Sequence, residues 1–369
     1  MRYQPGDGDW SWHQNRGLVW VPLALILMIT FADVLSPQDI HLGPLLVVAP
    51  ALTASFGGSR FTAAIGALAV GALLTIAAVR NSITTANHIS QLVALVLISV
   101  FTVIFCRLRE RHSAELQQVR SVAEAAQQAM LHPIPEGMGA LRLAATYQAA
   151  ADQARIGGDL YAAVRARNGT RLLMGDVRGK GLGAIDDAAL LLGAFRGAAH
   201  RELSLPELQQ ELESTLVWGL AQPTRQDTRA DETFITVVLI DIPDHIPVVH
   251  ILNNGHPAPL RLHSGQVEAL SPADPALPIG VDLTPAGDAT VDTFPFTAGD
   301  ILLLYTDGAS EARNAQGHFY PLADRLAFFG AGRTPRQLLD LVRDDLLDYS
   351  HDLGDDAALV AVMARRTAR

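Results

Sequence analysis

The chain has 369 residues, a formal net charge of −10 and a sequence pI of about 5.6. An acidic balance excludes a general nucleic-acid binder, which would carry a basic face. A single cysteine, Cys106, excludes both an intramolecular disulfide framework and a cysteine-based zinc cage.

Residues 1–17 read as a polar tail, and residues 18–105 contain no lysine and long runs of Leu, Val, Ile and Ala. Four apolar stretches, about 18–35, 40–56, 61–79 and 89–106, approach the roughly 17–25 residues needed to cross a hydrocarbon core. They predict a four-helix transmembrane region over 18–106. Arg2 and Arg16 precede the first stretch, Arg60 separates the second from the third, and Arg107, Arg109 and Arg111 follow the fourth. The opposite loops offer only Arg80. Positive charge favours the cytoplasmic side, so both ends are expected there, with the chain multi-pass in the cell inner (cytoplasmic) membrane and 1–17 a cytoplasmic tail. Asp33, Asp39, His41 and His88 lie near span ends and read as interfacial residues rather than ligands.

Residues 107–130 lack Gly and Pro and are rich in helix formers. His112, Leu116, Val119, Ala123, Ala126 and Met130 alternate spacings of four and three, the seam of a parallel two-helix coil and hence of a homodimer. A solvated linker helix fits the same residues. Pro133 and Pro135 end the helix, which makes 107–136 a helical connector and 137–369 a separate domain.

In that domain 141–148, 159–166, 170–177, 233–242, 247–253, 300–306 and 357–363 read as strands. Asn168-Gly169 is a two-residue hairpin signal. Residues 182–202 and 206–221 read as helices, and so does 334–349, with Thr334 as N-cap and Pro335 at N1. Strands that arrive in hairpins predict antiparallel sheets covered by helices. Four strand ends or turns carry Asp beside Gly: Gly157-Gly158-Asp159, the Gly175–Gly181 stretch GDVRGKG, Thr306-Asp307-Gly308 and Gly354-Asp355-Asp356. Each alone is turn chemistry. Together they look like carboxylates gathered at one edge of a sheet core, where mutual repulsion calls for cations. Hard oxygen ligands suit Mg²⁺ or Mn²⁺. GDVRGKG lacks P-loop spacing and the Ser/Thr after its lysine, which excludes a nucleoside triphosphatase.

The ordered set ARIGGDLY (154–161), GDVRGKG, DETFITVVLIDI (231–242), NNGHPAPL (253–260), LPIG (277–280), GDILLLYTDGASEAR (299–313) and GDDAAL (354–359) resembles the SpoIIE-like branch of the metal-dependent, type 2C-like serine/threonine protein phosphatases. AEAAQQAMLHPIP (123–135) is similar to the helix-and-proline approach that precedes such domains. The resemblance implies an α/β (α+β) four-layer αββα sandwich of two mainly antiparallel sheets with two divalent cations, Mn²⁺ or Mg²⁺, at one end. It implies that Asp176 bridges both metals, that the Val177 backbone carbonyl binds one, that Asp307 and Asp355 hold the other, and that Asp159 binds directly or through water. Asp356 is the alternative to Asp355. Asp176 and Asp307 would then act in catalysis through metal-activated water. The implied substrate is a phosphorylated bacterial regulatory protein of the anti-sigma-factor antagonist type. Ala162 stands where the family usually has Asp, and His256 reads as structural. A catalytically weak phosphatase-fold binding module in a membrane signalling protein is the competing reading. The expected partners are therefore that phosphoprotein, membrane lipid and a second copy of the chain, with no nucleic acid.

Overall fold

The computed structural model describes residues 16–37, 41–80, 85–150, 157–179, 181–222, 234–281, 289–330, 332–350 and 353–365. Within these limits the side chains of Leu116, Val119, Ala123 and Ala126, four of the expected seam residues, lie outside the described set, as do most of the 1–17 tail and the motif residues 154–156, 180 and 231–233. The chain forms two compact units, Met1–Gln118 and Val119–Arg369.

The first unit is helical. Helix α1 (Arg16–Leu35) is followed by a 3₁₀ segment (Gly43–Val47) that runs into α2 (Val48–Phe56), then α3 (Ser59–Val79) and α4 (Ala86–Met130). Ile26, Ile29, Leu46, Ala49, Ile65, Ala69, Leu73 and Ile76 pack together, whereas Trp20, Leu27, Met28, Phe31, Phe101 and Phe105 stay exposed. Among the described residues, three helical stretches are long and apolar enough to cross a membrane: Gly17–Leu35, Ser59–Val79 and Ala86–Glu115. The expected second spanning helix, 40–56, is instead a five-residue 3₁₀ turn joined to a nine-residue helix. Pro44 lies in the first turn of the 3₁₀ segment, where its missing N–H would have no helical partner.

Polar contacts gather at both ends of this bundle. At one, the Asp33 carboxylate lies 3.2 Å from Arg80 and accepts the Leu42 N–H at 2.6 Å. His88 is buried there, edge-on to His41 at 5.7 Å, with its Nδ1 3.1 Å from the Thr85 hydroxyl. At the other, Glu110 of α4 accepts the Ser59 N–H and hydroxyl at 2.7 and 2.8 Å, capping the start of α3. Arg109 donates to the Ala54 carbonyl at 2.8 Å.

The second unit holds two antiparallel sheets. β1 (Gly137–Met138), β2 (Leu141–Gln148), β11 (Ala357–Ala364), β10 (Ile301–Tyr305), β7 (Leu260–His263) and β8 (Gln266–Ala269) form one, in that spatial order. β3 (Asp159–Arg165), β4 (Gly169–Val177), β5 (Ile235–Pro243), β6 (Val248–Asn254) and β9 (Asp292–Pro295) form the other. α5 (Leu182–Ala198) and α6 (Leu205–Leu220) cover the β3–β6 sheet, and α8 (Leu322–Phe329) and α9 (Pro335–Ser350) cover the β2–β11 sheet. The apolar run Ile301–Leu304 is explained by this layering. Leu302 and Leu304 face the core shared with the second sheet, while Ile301 and Leu303 pack with Leu338, Leu339, Val342 and Leu346 of α9. A strand buried on both faces has no polar alternation to show. The architecture is the expected four-layer sandwich.

Local chemistry sets the helix starts. Ser204 and Glu207 make a reciprocal capping box at α6. Thr334 and Gln337 do the same at α9, with Pro335 as its first residue. The β3–β4 hairpin forms with Arg165 opposite Thr170, so Asn168-Gly169 is not its central pair. Gly169 sits in the ladder opposite Pro243, where an added Cβ would come within 2.7 Å of the Ile242 carbonyl.

Candidate metal centre

The register of β3 against β4 builds the site. Asp159 and Asp176 are directly opposite residues on neighbouring strands, and cross-strand partners share a face. Asp159 is buried and accepts the Thr306 hydroxyl at 2.8 Å. Thr306 directly follows β10 of the other sheet, so this face looks across the sandwich. The Thr306 hydroxyl also accepts the Ala358 N–H at 2.9 Å, which ties β10, β11 and β3 together at one end. Burial pushes the Asp159 carboxyl well above the usual carboxylate range. Asp176, Asp356 and Asp307 push the same way, and the Thr306 hydrogen bond opposes them. Four aspartates therefore share one field, and a cation is what such a set is suited to neutralise.

Asp307 is exposed at the start of the short helix α7 (Asp307–Ser310), directly after β10. Gly308 lets this helix lie against the 355–356 backbone, since a Cβ there would collide with the Asp356 carbonyl. Gly158 likewise lies against Val177, where an added Cβ would come within 2.5 Å of the Val177 carbonyl. That carbonyl is thus held at the β3–β4 end beside Asp159 and Asp176. Gly179 and Gly181, at φ of 109° and 97°, turn the chain from β4 into α5.

Asp355 and Asp356 differ in their surroundings. Asp356 is buried, and its carboxylate accepts the Tyr147 hydroxyl, the Gly157 N–H at 2.7 Å and the Ala150 N–H at 2.8 Å. Burial and Asp356 push the Tyr147 hydroxyl up, so it stays a donor. Asp355 is half-buried and accepts the Asp356 N–H at 2.9 Å. The donor chemistry and shared strand end fit hard cations. Among the described residues, however, no three His, Cys, Asp or Glu side chains form a group that could hold a metal ion. The arrangement is a gathered set of carboxylates, not a closed cage.

Ala162 is buried opposite Leu173, three residues beyond Asp159. The pleat turns it to the other face of β3 from Asp159. His256 is buried, and desolvation lowers its pKa to about 3, against the opposing effect of the Tyr305 backbone. Its N–H and carbonyl are clamped by the Asn253 side chain at 2.8 and 2.9 Å, and its Nδ1 lies 3.2 Å from the Thr236 hydroxyl. Three residues bearing on the site escape the sequence reading: Thr306, Tyr147 and Gln127. Thr306 stands beside the Asp-Gly signal. Tyr147 and Gln127, whose amide donates to the Gly157 carbonyl at 3.3 Å, have no local sequence signature.

The sequence profile of Stage II sporulation protein E (SpoIIE) matches residues 166–365, more than half of the chain. The chain belongs to the SpoIIE family. The match takes in Asp176, Asp307, Asp355 and Asp356, while Asp159 precedes it, so the place of Asp159 in this SpoIIE-family site rests on its register. The RsbU and RsbW domains of Rv1364c from Mycobacterium tuberculosis are 22% identical with a TM-score of 0.52, over 64% of this chain and 62% of theirs. The SiaA-PP2C domain of Pseudomonas aeruginosa is 16% identical with a TM-score of 0.51, over 69% of this chain and 98% of its own. The phosphatase domain and regulatory fragment of SpoIIE from Bacillus subtilis are 19% identical with a TM-score of 0.47, over 62% and 65%. The chain thus spans less than two thirds of the first and third of these. At such identities the first two likenesses show the PP2C-type fold. No curated protein matches the chain.

Proposed function

We propose that this chain is a membrane-anchored, metal-dependent protein phosphatase that removes the phosphoryl group from serine or threonine of a bacterial regulatory protein, of the anti-sigma-factor antagonist type. The observation that carries this reading is the direct opposition of Asp159 and Asp176 at the sandwich end, inside a field shared with Asp307 and Asp356. Rv1364c, which carries RsbU and RsbW domains, supports the choice of substrate class.

Asp176, the Val177 carbonyl, Asp307 and Asp355 would hold the two cations, with Asp159 bound directly or through water. Bound Mn²⁺ or Mg²⁺ supplies a water of lowered pKa and offsets charge on the phosphoryl oxygens. Thr306 fixes the Asp159 carboxylate, and Asp356 fixes the wall formed by Tyr147, Ala150 and Gly157. The chain's own part is positioning and charge placement, which suits phosphoryl transfer. His256, neutral and clamped, takes no proton-transfer role.

The test uses the full chain in detergent with a phosphoserine protein of that type. Hydrolysis should require added Mn²⁺ or Mg²⁺ and stop in chelator. Full activity in chelator would overturn the two-metal reading. A phosphoproteome comparison with and without Asp307→Asn then identifies the substrate.

A further inference from the structure

The phosphatase reading leaves open what receives the dianionic phosphoryl group among so many carboxylates. The β4–β5 ladder supplies a candidate. Asp176 lies opposite Thr236, and Val177 opposite Ile235. The Arg178 N–H then donates to the Phe234 carbonyl at 2.9 Å, so the ladder continues one rung past β4. Arg178 lies just past the end of β4, two residues and about 7 Å along an extended chain from Asp176. The Arg178 guanidinium lies over the Phe234 ring at 5.0 Å. Arg178 is exposed, and among the described residues no carboxylate pairs with it.

We infer that Arg178 binds the phosphoryl group of the substrate beside the metal centre, with Phe234 holding the guanidinium ready. This rests on the phosphatase reading above. Three physical points favour it. A guanidinium presents a planar fork that matches two phosphate oxygens, and such charge-assisted pairs are the strong ones. Stacking on an aromatic face restricts the side chain before the ligand arrives, which lowers the ordering cost of binding. A cation at this position also offsets the repulsion that surplus carboxylate charge would exert on an incoming dianion. Arg313 also stacks on a ring, that of Phe319, at 4.3 Å. It follows Asp307 by six residues, outside any ladder that would align it with the Asp159–Asp176 face.

The alternative is that Arg178 only packs the end of β4. Two readouts separate these roles in the detergent-solubilised full chain: inhibition by inorganic phosphate, and the rise in Tm that inorganic phosphate produces. In Arg178→Ala, the phosphate inhibition constant and KM for a phosphoserine peptide should rise about tenfold or more, with kcat changed less. The phosphate-induced Tm rise should shrink, and Arg178→Lys should recover part of each effect. Arg167→Ala, at an exposed pair with Glu202, should change nothing. Unchanged phosphate inhibition and Tm response in Arg178→Ala would overturn the inference while the phosphatase reading stands. So would loss of both in Arg313→Ala instead. A parent chain inactive with either metal overturns the phosphatase reading, and this inference with it.

Discussion

Asp356 is buried and commits its carboxylate to three donors, whereas its neighbour Asp355 is half-buried. That difference separates stability from activity. Asp356→Ala strands a buried hydroxyl and two backbone N–H groups, at a cost of roughly 3 kcal/mol or more. Its Tm should fall sharply. Asp355→Ala should keep Tm and lose metal-dependent hydrolysis, as should Asp176→Asn and Asp307→Asn, each by at least about a hundredfold. A stable, inactive Asp356→Ala beside an active Asp355→Ala would reverse the assignment. Asp159 makes a pH prediction. Its folded pKa is raised by burial and then by Asp176, so the folded state holds a proton that the unfolded chain releases above its ordinary carboxylate pKa. In chelator, its contribution to stability is therefore full at low pH and is lost as pH rises through the folded value. Asp159→Asn should raise Tm at neutral pH in chelator and flatten the pH dependence relative to the parent. A lower Tm for Asp159→Asn at neutral pH would show that the buried charge is already compensated.

At the scale of elements, the end of α4 has a specific consequence. Gln127 is buried, and its amide donates to the Gly157 carbonyl, two residues from Asp159. Arg196 of α5 donates to the Met130 carbonyl at 2.9 Å. The helix therefore ends on the loop that presents the first aspartate, and we propose that its state of pairing sets activity. One alanine inserted after Arg120 turns the helix by about 100°, and seven nearly restore phase. Membrane-embedded activity should change with one residue and return with seven, and Gln127→Ala should blunt the difference. Equal activity for insertions of one, four and seven would make the helix a passive tether. The seven strands read from sequence appear because their apolar runs are long and bounded by turn residues. The β7–β8 hairpin carries a local signal in the sequence. Ser264-Gly265, both at positive φ, make its turn, and that dipeptide marks turns in general. β9 and α8 were not legible, because four- and eight-residue elements carry too little periodicity to stand apart from loops. Within the site, the Asp-Gly pairs announced themselves locally. Tyr147 and Gln127 did not, since their roles arise from contacts 209 and 30 residues away in sequence.

At the scale of the molecule, the membrane path turns on the short segment Gly43–Phe56, which has 14 residues. Its length as a 3₁₀ turn plus helix is about 23 Å, below the roughly 30 Å of a hydrocarbon core. Counting only long helices gives three crossings and ends on opposite sides. The polar contacts argue otherwise. Asp33 near the end of α1, Leu42 and Arg80 after α3 meet at one end of the bundle. Ala54, Ser59, Arg109 and Glu110 meet at the other. The chain therefore passes from one polar end to the other between Leu42 and Ala54, and the 3₁₀ stretch helps because it rises more per residue than an α-helix. We propose that this segment completes a fourth pass, with Leu46 and Ala49 buried against the other helices rather than facing lipid. Both chain ends would then share the cytoplasmic side, as the arginine distribution favours. Reporter fusions at the N-terminus and at residue 112 should both score as cytoplasmic. An external N-terminus with a cytoplasmic residue 112 would show that Gly43–Phe56 does not cross, and that the Asp33–Arg80 pair does not mark the outer end of the bundle.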